Sequence, residues 1–348
     1  MSEGRKRLIY LDIIRVFALV CVFVVHFTRQ FEFYGIDCDG YKILPDHPFG
    51  VYLGSLGVSL FFLTSGASLM YVYEKKFDLV TYIKRRFFGI LPMYWIAFAA
   101  ATLYQFFSTR QFQNDSAPWT ILLSVCGLDG YLEWYIPSFH VIGDWFLGCI
   151  ILIYCLFPLL RIGIIKKPRL TIGLSLVIYV LGGIFFRSAM PADALFLLRV
   201  PEILFGMCFV YYFGKVKPYA AAIAAGFLIF CAVGHFTQVP TIWLAPPVGA
   251  AVFTVLTFCS EWLGRSLAVV DFSKMISKYC YAIFLTHHMV IVEVFRRFQD
   301  YVRPMSVAEV WLLFFVCILV TAVLSGALYH VNVHFCNGLK KIPGKEKP

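Results

Sequence analysis

Charge is what this sequence has least of: 14% of its 348 residues are Asp, Glu, Lys or Arg, where soluble domains carry about 25%. So few charges cannot solvate the surface of a chain this long. Acidic residues are the scarcer kind, 20 against 30 basic ones. Other features are missing altogether. None of the eleven cysteines belongs to a Cys-x-x-Cys pair, which removes the common zinc and redox motifs. There is no glycine-rich phosphate loop and no repeat at the roughly 20–50-residue period of solenoids. Nor is any polar block between the apolar runs large enough to be a second, soluble domain.

What is present is hydrophobicity. The apolar share is 60%, above the roughly 45–50% of soluble proteins. A helix needs about 20 mostly apolar residues to cross the hydrocarbon core. Such windows fall near 8–28, 51–73, 87–107, 139–160, 170–187, 195–213, 218–235, 241–259, 276–295 and 307–334. The expected fold is therefore an all-α integral membrane protein of about ten transmembrane helices. It forms one transmembrane domain over 1–335, followed by a short basic cytoplasmic tail over 336–348. The apolar stretch at 117–128 is too short to span and contains Pro118, so it reads as a re-entrant or surface segment.

The basic residues set the orientation. Arg5, Lys6 and Arg7 precede the first window, which has no small-residue cleavage site and reads as a retained anchor with its amino terminus inside. Alternating sides from there places 21 Lys and Arg residues in cytoplasmic segments and seven in outer ones, the positive-inside pattern. Both termini are then cytoplasmic, and the net charge of +10 needs no nucleic-acid partner. Arg296, Arg297 and Arg303 are the exception on the outer side; headgroup anchoring or an anionic substrate would explain them. Cys38 and Cys126 also fall outside, where a disulfide between them is conceivable.

Ionisable groups at membrane depth carry the functional signal, because each is costly unless paired or facing a wet cavity. Asp12 and Arg15, three apart, form a structural pair on one helical face. His26 follows Arg15 by eleven residues, the same face about 16 Å further along. With the amino terminus inside, Arg15 lies in the inner half and His26 near the outer surface. Arg199 and Glu202 repeat the three-residue spacing near the outer end of the sixth window, with Pro201 expected to loosen the backbone there. A carboxylate at that depth is what an imidazole base needs as its orienting partner. Arg85 and Arg86 follow Lys84 at the inner surface, where they add to the positive-inside cluster and suit the phosphates of a cytoplasmic cofactor. Asp144 sits beside Trp145, and of the adjacent His287 and His288 only one can face a given cavity. His330 and His334 share a face, but with no third ligand evident no metal site is expected.

These residues lie in segments that resemble the membrane acyltransferase family 3. The opening run Leu11-Asp12-Ile13-Ile14-Arg15 to His26, with ten residues between arginine and histidine, is similar to the family's first helix. Phe61-Phe62-Leu63-Thr64-Ser65-Gly66, Arg85-Arg86 through Leu91-Pro92-Met93-Tyr94-Trp95, and Asp144-Trp145-Phe146-Leu147 follow in the family's order. So do Arg199-Val200-Pro201-Glu202 and Tyr281-Ala282-Ile283-Phe284-Leu285-Thr286-His287; Gly89 stands where many members carry another arginine.

The resemblance implies transfer of an acyl group, commonly acetyl, from cytoplasmic acyl-CoA to a hydroxyl of a cell-surface or lipid-linked glycan. Acyl-CoA would be a co-substrate, not a permanent cofactor, and the location the bacterial cytoplasmic membrane. On this expectation His26 is catalytic with Glu202 as its orienting group, and Arg15, Arg85 and Arg86 bind the donor. Arg199, Trp145, His287 and Ser65 line the pocket or contact the acceptor. The competing class is a multi-pass transporter or flippase, for which intramembrane charges and prolines such as Pro246 and Pro247 are equally expected. Such transporters usually show paired halves, and no similarity between halves is visible.

Overall fold

The computed structural model of the protein describes residues 6–35, 42–110, 116–139, 141–234, 236–302 and 306–341. Among them there is no β-strand. The α-helices are α1 (Ile9–Phe33), α2 (Leu53–Tyr73), α3 (Leu79–Thr109), α4 (Ile121–Cys126), α5 (Asp129–Leu132), α6 (Asp144–Lys166), α7 (Pro168–Phe185), α8 (Val200–Cys208), α9 (Pro218–Val233), α10 (Thr241–Leu263), α11 (Leu267–Val302) and α12 (Val307–Lys341). Arg303 and Cys38 lie outside the described residues.

Each of the ten apolar windows coincides with a helical segment, and nine are long and apolar enough to cross a membrane among the described residues. The exception is α9, of 16 residues, about 24 Å long against a hydrocarbon core of ~30 Å. It still turns Ile223, Ile229, Phe230 and Val233 outward. Over 117–128 the chain makes a 3₁₀ turn at Pro118–Thr120 and the six residues of α4, stopped at Gly127 with φ 69°. That short helix exposes Ile121, Leu122 and Val125, as a re-entrant or surface piece would. The last helix continues through Lys341, so the first residues of the basic tail are helical.

Helix starts follow local chemistry. Asp78 caps α3 by accepting the Thr81 amide at 2.8 Å, and Pro168 and Pro218 occupy first turns, where a missing N–H costs nothing. Pro201 does the same for α8. The backbone is not loosened at this proline, contrary to expectation, because its ring sits in the first turn of α8, after a 3₁₀ turn at Phe196–Arg199.

The helices of the expected single domain cluster into two compact units, one comprising Met1–Phe77 and Cys149–Cys280, the other Asp78–Gly148 and Tyr281–Pro348. In the first, α2 is central and packs on α1, α8 and α10. Lipid tails are as apolar as leucine, so helices in a bilayer associate by close packing and polar contacts. Gly66 and Gly206 let α2 and α8 approach that closely: a Cβ on Gly66 would strike the Ile203 carbonyl, and one on Gly206 the Leu63 carbonyl. In the second unit α12 packs on α3. Thr286 and Ser325 hydroxyls meet at 2.7 Å, the Tyr281 hydroxyl donates to the Ile90 carbonyl at 3.2 Å, and Trp95 Nε1 donates to the Val125 carbonyl at 2.8 Å.

Candidate active site

Asp12 is buried in the first turn of α1, where a carboxylate suits the positive end of the helix dipole. It accepts Arg7 Nε at 2.5 Å and Arg15 Nη1 at 3.2 Å, so the expected structural pair forms and gains a second arginine. The Arg15 guanidinium is occupied further: Nη1 donates to Ser277 Oγ at 3.3 Å and Nη2 donates to Ser68 Oγ. Ser68, not Ser65, is thus the serine of α2 that meets Arg15. Ser65 is half-buried. His26 is half-buried on the same face of α1, and between it and Arg15 that face carries buried Ala18 and Val22.

Arg199 and Glu202 form a second ion pair, and both side chains are buried, at 0% and 1% exposure. Arg199 Nη1 donates to both Glu202 oxygens at 3.3 Å, and its Nε donates to the Asp193 carbonyl at 2.6 Å. The guanidinium lies 5.5 Å over the Phe62 ring, and Ser59 hydrogen-bonds Glu202. The 3₁₀ turn before α8 supplies this geometry by bringing Asp193 and Arg199 back toward the helix start. Glu202 also lines a cavity of about 460 Å³ with Ser175, Tyr179 and Trp243.

In the second unit Arg85 is exposed and Arg86 half-buried, its guanidinium 6.0 Å from the centre of the Tyr82 ring. The adjacent histidines separate as helical geometry requires. His287 is buried, with Nδ1 against the Ile283 and Phe284 carbonyls at 3.0 and 2.9 Å. His288 lines a cavity of about 410 Å³ with Asp144, whose Oδ1 is 3.5 Å from its Nδ1. The pocket histidine of α11 is therefore His288, one residue beyond the one singled out from the sequence, because the 100° step between neighbours turns His287 into the packing. Trp145 is half-buried with its ring edge-on to Phe146.

Two buried or charged groups of this unit have no counterpart in the sequence analysis. Asp129 is buried at the start of α5 and receives the Tyr94 hydroxyl at 3.0 Å from each carboxylate oxygen; nothing local in the sequence points across the 35 residues between them. Glu293 had a readable signal, lying three and four residues before Arg296 and Arg297. It holds Arg296 by two bonds of 2.8 Å and Arg297 Nε at 3.1 Å. Arg296 and Arg297, the members of the outer arginine trio that lie among the described residues, thus share one carboxylate within their own helix, which balances one of their two charges.

A family model described as an acyltransferase domain matches residues 8–330. The acyltransferase MdmB of Streptomyces mycarofaciens is 28% identical over 151 residues, 42% of this chain and 37% of that protein. The chain thus matches well under two thirds of the length of that curated relative. No solved structure matches it.

Proposed function

The chain belongs to the membrane acyltransferase family 3, and from that premise we propose that it moves an acyl group from cytoplasmic acyl-CoA to a hydroxyl of a cell-surface or lipid-linked glycan. The observation that carries this is the family match running through every helix from residue 8 to 330, with the arginine and histidine of α1 in the family's spacing. In this proposal the protein sits in the cytoplasmic membrane, acetyl-CoA is the commonest donor, and the tail ends of the chain are inside.

Arg85 and Arg86 are best suited to the donor phosphates, since both reach the surface and a guanidinium binds phosphate by charge-assisted bonds. Arg15 is the lesser donor group, because contact with CoA would compete with Asp12, Ser68 and Ser277. His26 is the reacting group. A neutral imidazole removes the proton of the attacking hydroxyl as the oxygen joins the thioester carbonyl, the C–S bond breaks and the thiolate takes up a proton. In the alternative route the imidazole nitrogen itself takes the acyl group, releases CoA and then yields the acyl group to the hydroxyl. Glu202, tied to Arg199, acts as an orienting carboxylate, and the pair fixes the start of α8.

Acylation of host glycans measured by mass spectrometry in cells carrying His26→Ala tests the proposal. With insertion shown to be normal, acylation falls to background; full acylation would remove His26 from the reaction. Arg85→Ala with Arg86→Ala raises the apparent KM for the CoA thioester instead, and an unchanged KM counts against their role.

A further inference from the structure

The polar cavity of His288 and Asp144 has a neighbour. A second cavity, of about 440 Å³, lies in the same unit between α3, α11 and α12, and the two share Tyr104, Ile142, Leu285, Met289 and Glu293 as a common wall. Beyond that wall the linings are opposite in character. The first cavity presents Asp144, His288, Arg296 and Ser108. The second presents Ala97, Ala100, Val320, Leu324 and Ala327, with no charged side chain besides the shared Glu293.

Their depths differ too. Thr109 at the end of α3, Asp144 at the start of α6 and Arg296 near the end of α11 all line the polar cavity, which places it at the mouths of these helices, on the outer side by the charge asymmetry. The apolar cavity is lined by Ile96 to Ala101 and Val320 to Val331, mid-helix residues at the depth of hydrocarbon.

We propose that the two cavities form one site for an amphiphile with an uncharged, hydroxyl-bearing head and a hydrocarbon tail. The head class follows from charge. Two carboxylates face the polar cavity against one arginine that Glu293 already holds in two bonds of 2.8 Å, an unfavourable place for a phosphate. A carboxylate beside an imidazole offers the mixed acceptors and donors that sugar hydroxyls use. The tail class follows from a lining at bilayer depth that is apolar apart from Thr286 and the shared Tyr104 and Glu293, and both volumes are in the range of small-molecule sites. Calling this amphiphile the acyl acceptor rests on the acyl-transfer proposal; its binding does not.

The test uses the full-length protein in phosphatidylcholine nanodiscs and an alkyl glucoside bearing a photoactivatable diazirine in its chain. After illumination, peptide mass spectrometry should find cross-links near Ala100 and Ala327. Excess unlabelled dodecyl maltoside should abolish them, while dodecanol and glucose, alone or together, should not. Ala327→Trp, which fills the apolar cavity, should lower cross-linking about tenfold, and His288→Gln or Asp144→Asn should raise the maltoside concentration needed to compete by about tenfold, equivalent to ~1.4 kcal/mol. Equal competition by dodecanol or phosphatidylglycerol would reduce the site to a general lipid groove and overturn the proposal. Unchanged competition in both head variants would do the same. The wild-type competition needs no variant to fold, and Ala100→Phe provides a second filling of the tail cavity. Cross-linking as expected, in a protein without acylation activity, would sink the acyl-transfer proposal and leave this one standing.

Discussion

At the scale of single residues, the two buried ion pairs make opposite demands. Arg199 and Glu202 are fully enclosed, so Glu202→Ala would leave a guanidinium with less compensation than its desolvation requires. Breaking a buried pair from one side costs about 3–5 kcal/mol, whereas replacing both partners with apolar groups is often neutral. Glu202→Ala should therefore lower the Tm of the detergent-solubilised protein sharply, and Arg199→Met with Glu202→Leu should recover most of it. Acylation that returns with the double variant would show that the pair only holds α8 in place; acylation that stays lost would support an orienting carboxylate. Asp12 is joined to Arg7, near the surface, and to the half-exposed Arg15, so Asp12→Asn should cost less than Glu202→Ala by the same thermal assay.

At the scale of elements, the contact of α2 with α8 is decided by glycine. A Cβ on Gly206 meets the Leu63 carbonyl oxygen, and backbone cannot move aside as a side chain can. Overpacking of this kind costs typically 1–3 kcal/mol. Gly206→Ala and Gly66→Ala should each lower Tm and the yield of folded protein, while Gly89→Ala, open on all sides, should do neither and slightly favour the helix. Equal behaviour of the three variants would refute the close approach. Pro201→Ala is expected to change stability by less than about 1 kcal/mol, because first-turn amides have no helical partner; a larger loss would mean that the proline has a packing role.

For the whole molecule the testable property is sidedness. Positive-inside asymmetry predicts that a fluorescent reporter fused after the carboxy terminus matures in the cytoplasm, and that alkaline phosphatase fused there stays inactive. An active phosphatase would move Arg85, Arg86 and His26 to the opposite sides from those the donor scheme requires. Arg296 and Arg297, held together by the single carboxylate of Glu293, are the outer basic residues that this fusion measurement weighs against the inner ones.

Hydropathy by itself determined the class of the protein and the position of every long helix, because the bilayer imposes one length and one composition on any segment that crosses it. Spacing along one helix was equally readable: Asp12 with Arg15, and Arg199 with Glu202, pair as their three-residue intervals require. Tertiary structure decided what periodicity leaves open. Whether His287 or His288 faces a cavity depends on how α11 is rotated against its neighbours, and adjacent residues supply no preference. Asp129 finds Tyr94, and Arg15 finds Ser68 and Ser277, through contacts between segments far apart in the chain, set by packing alone. The same holds for the adjoining polar and apolar cavities, whose walls come from separate helices and exist only once those helices have packed.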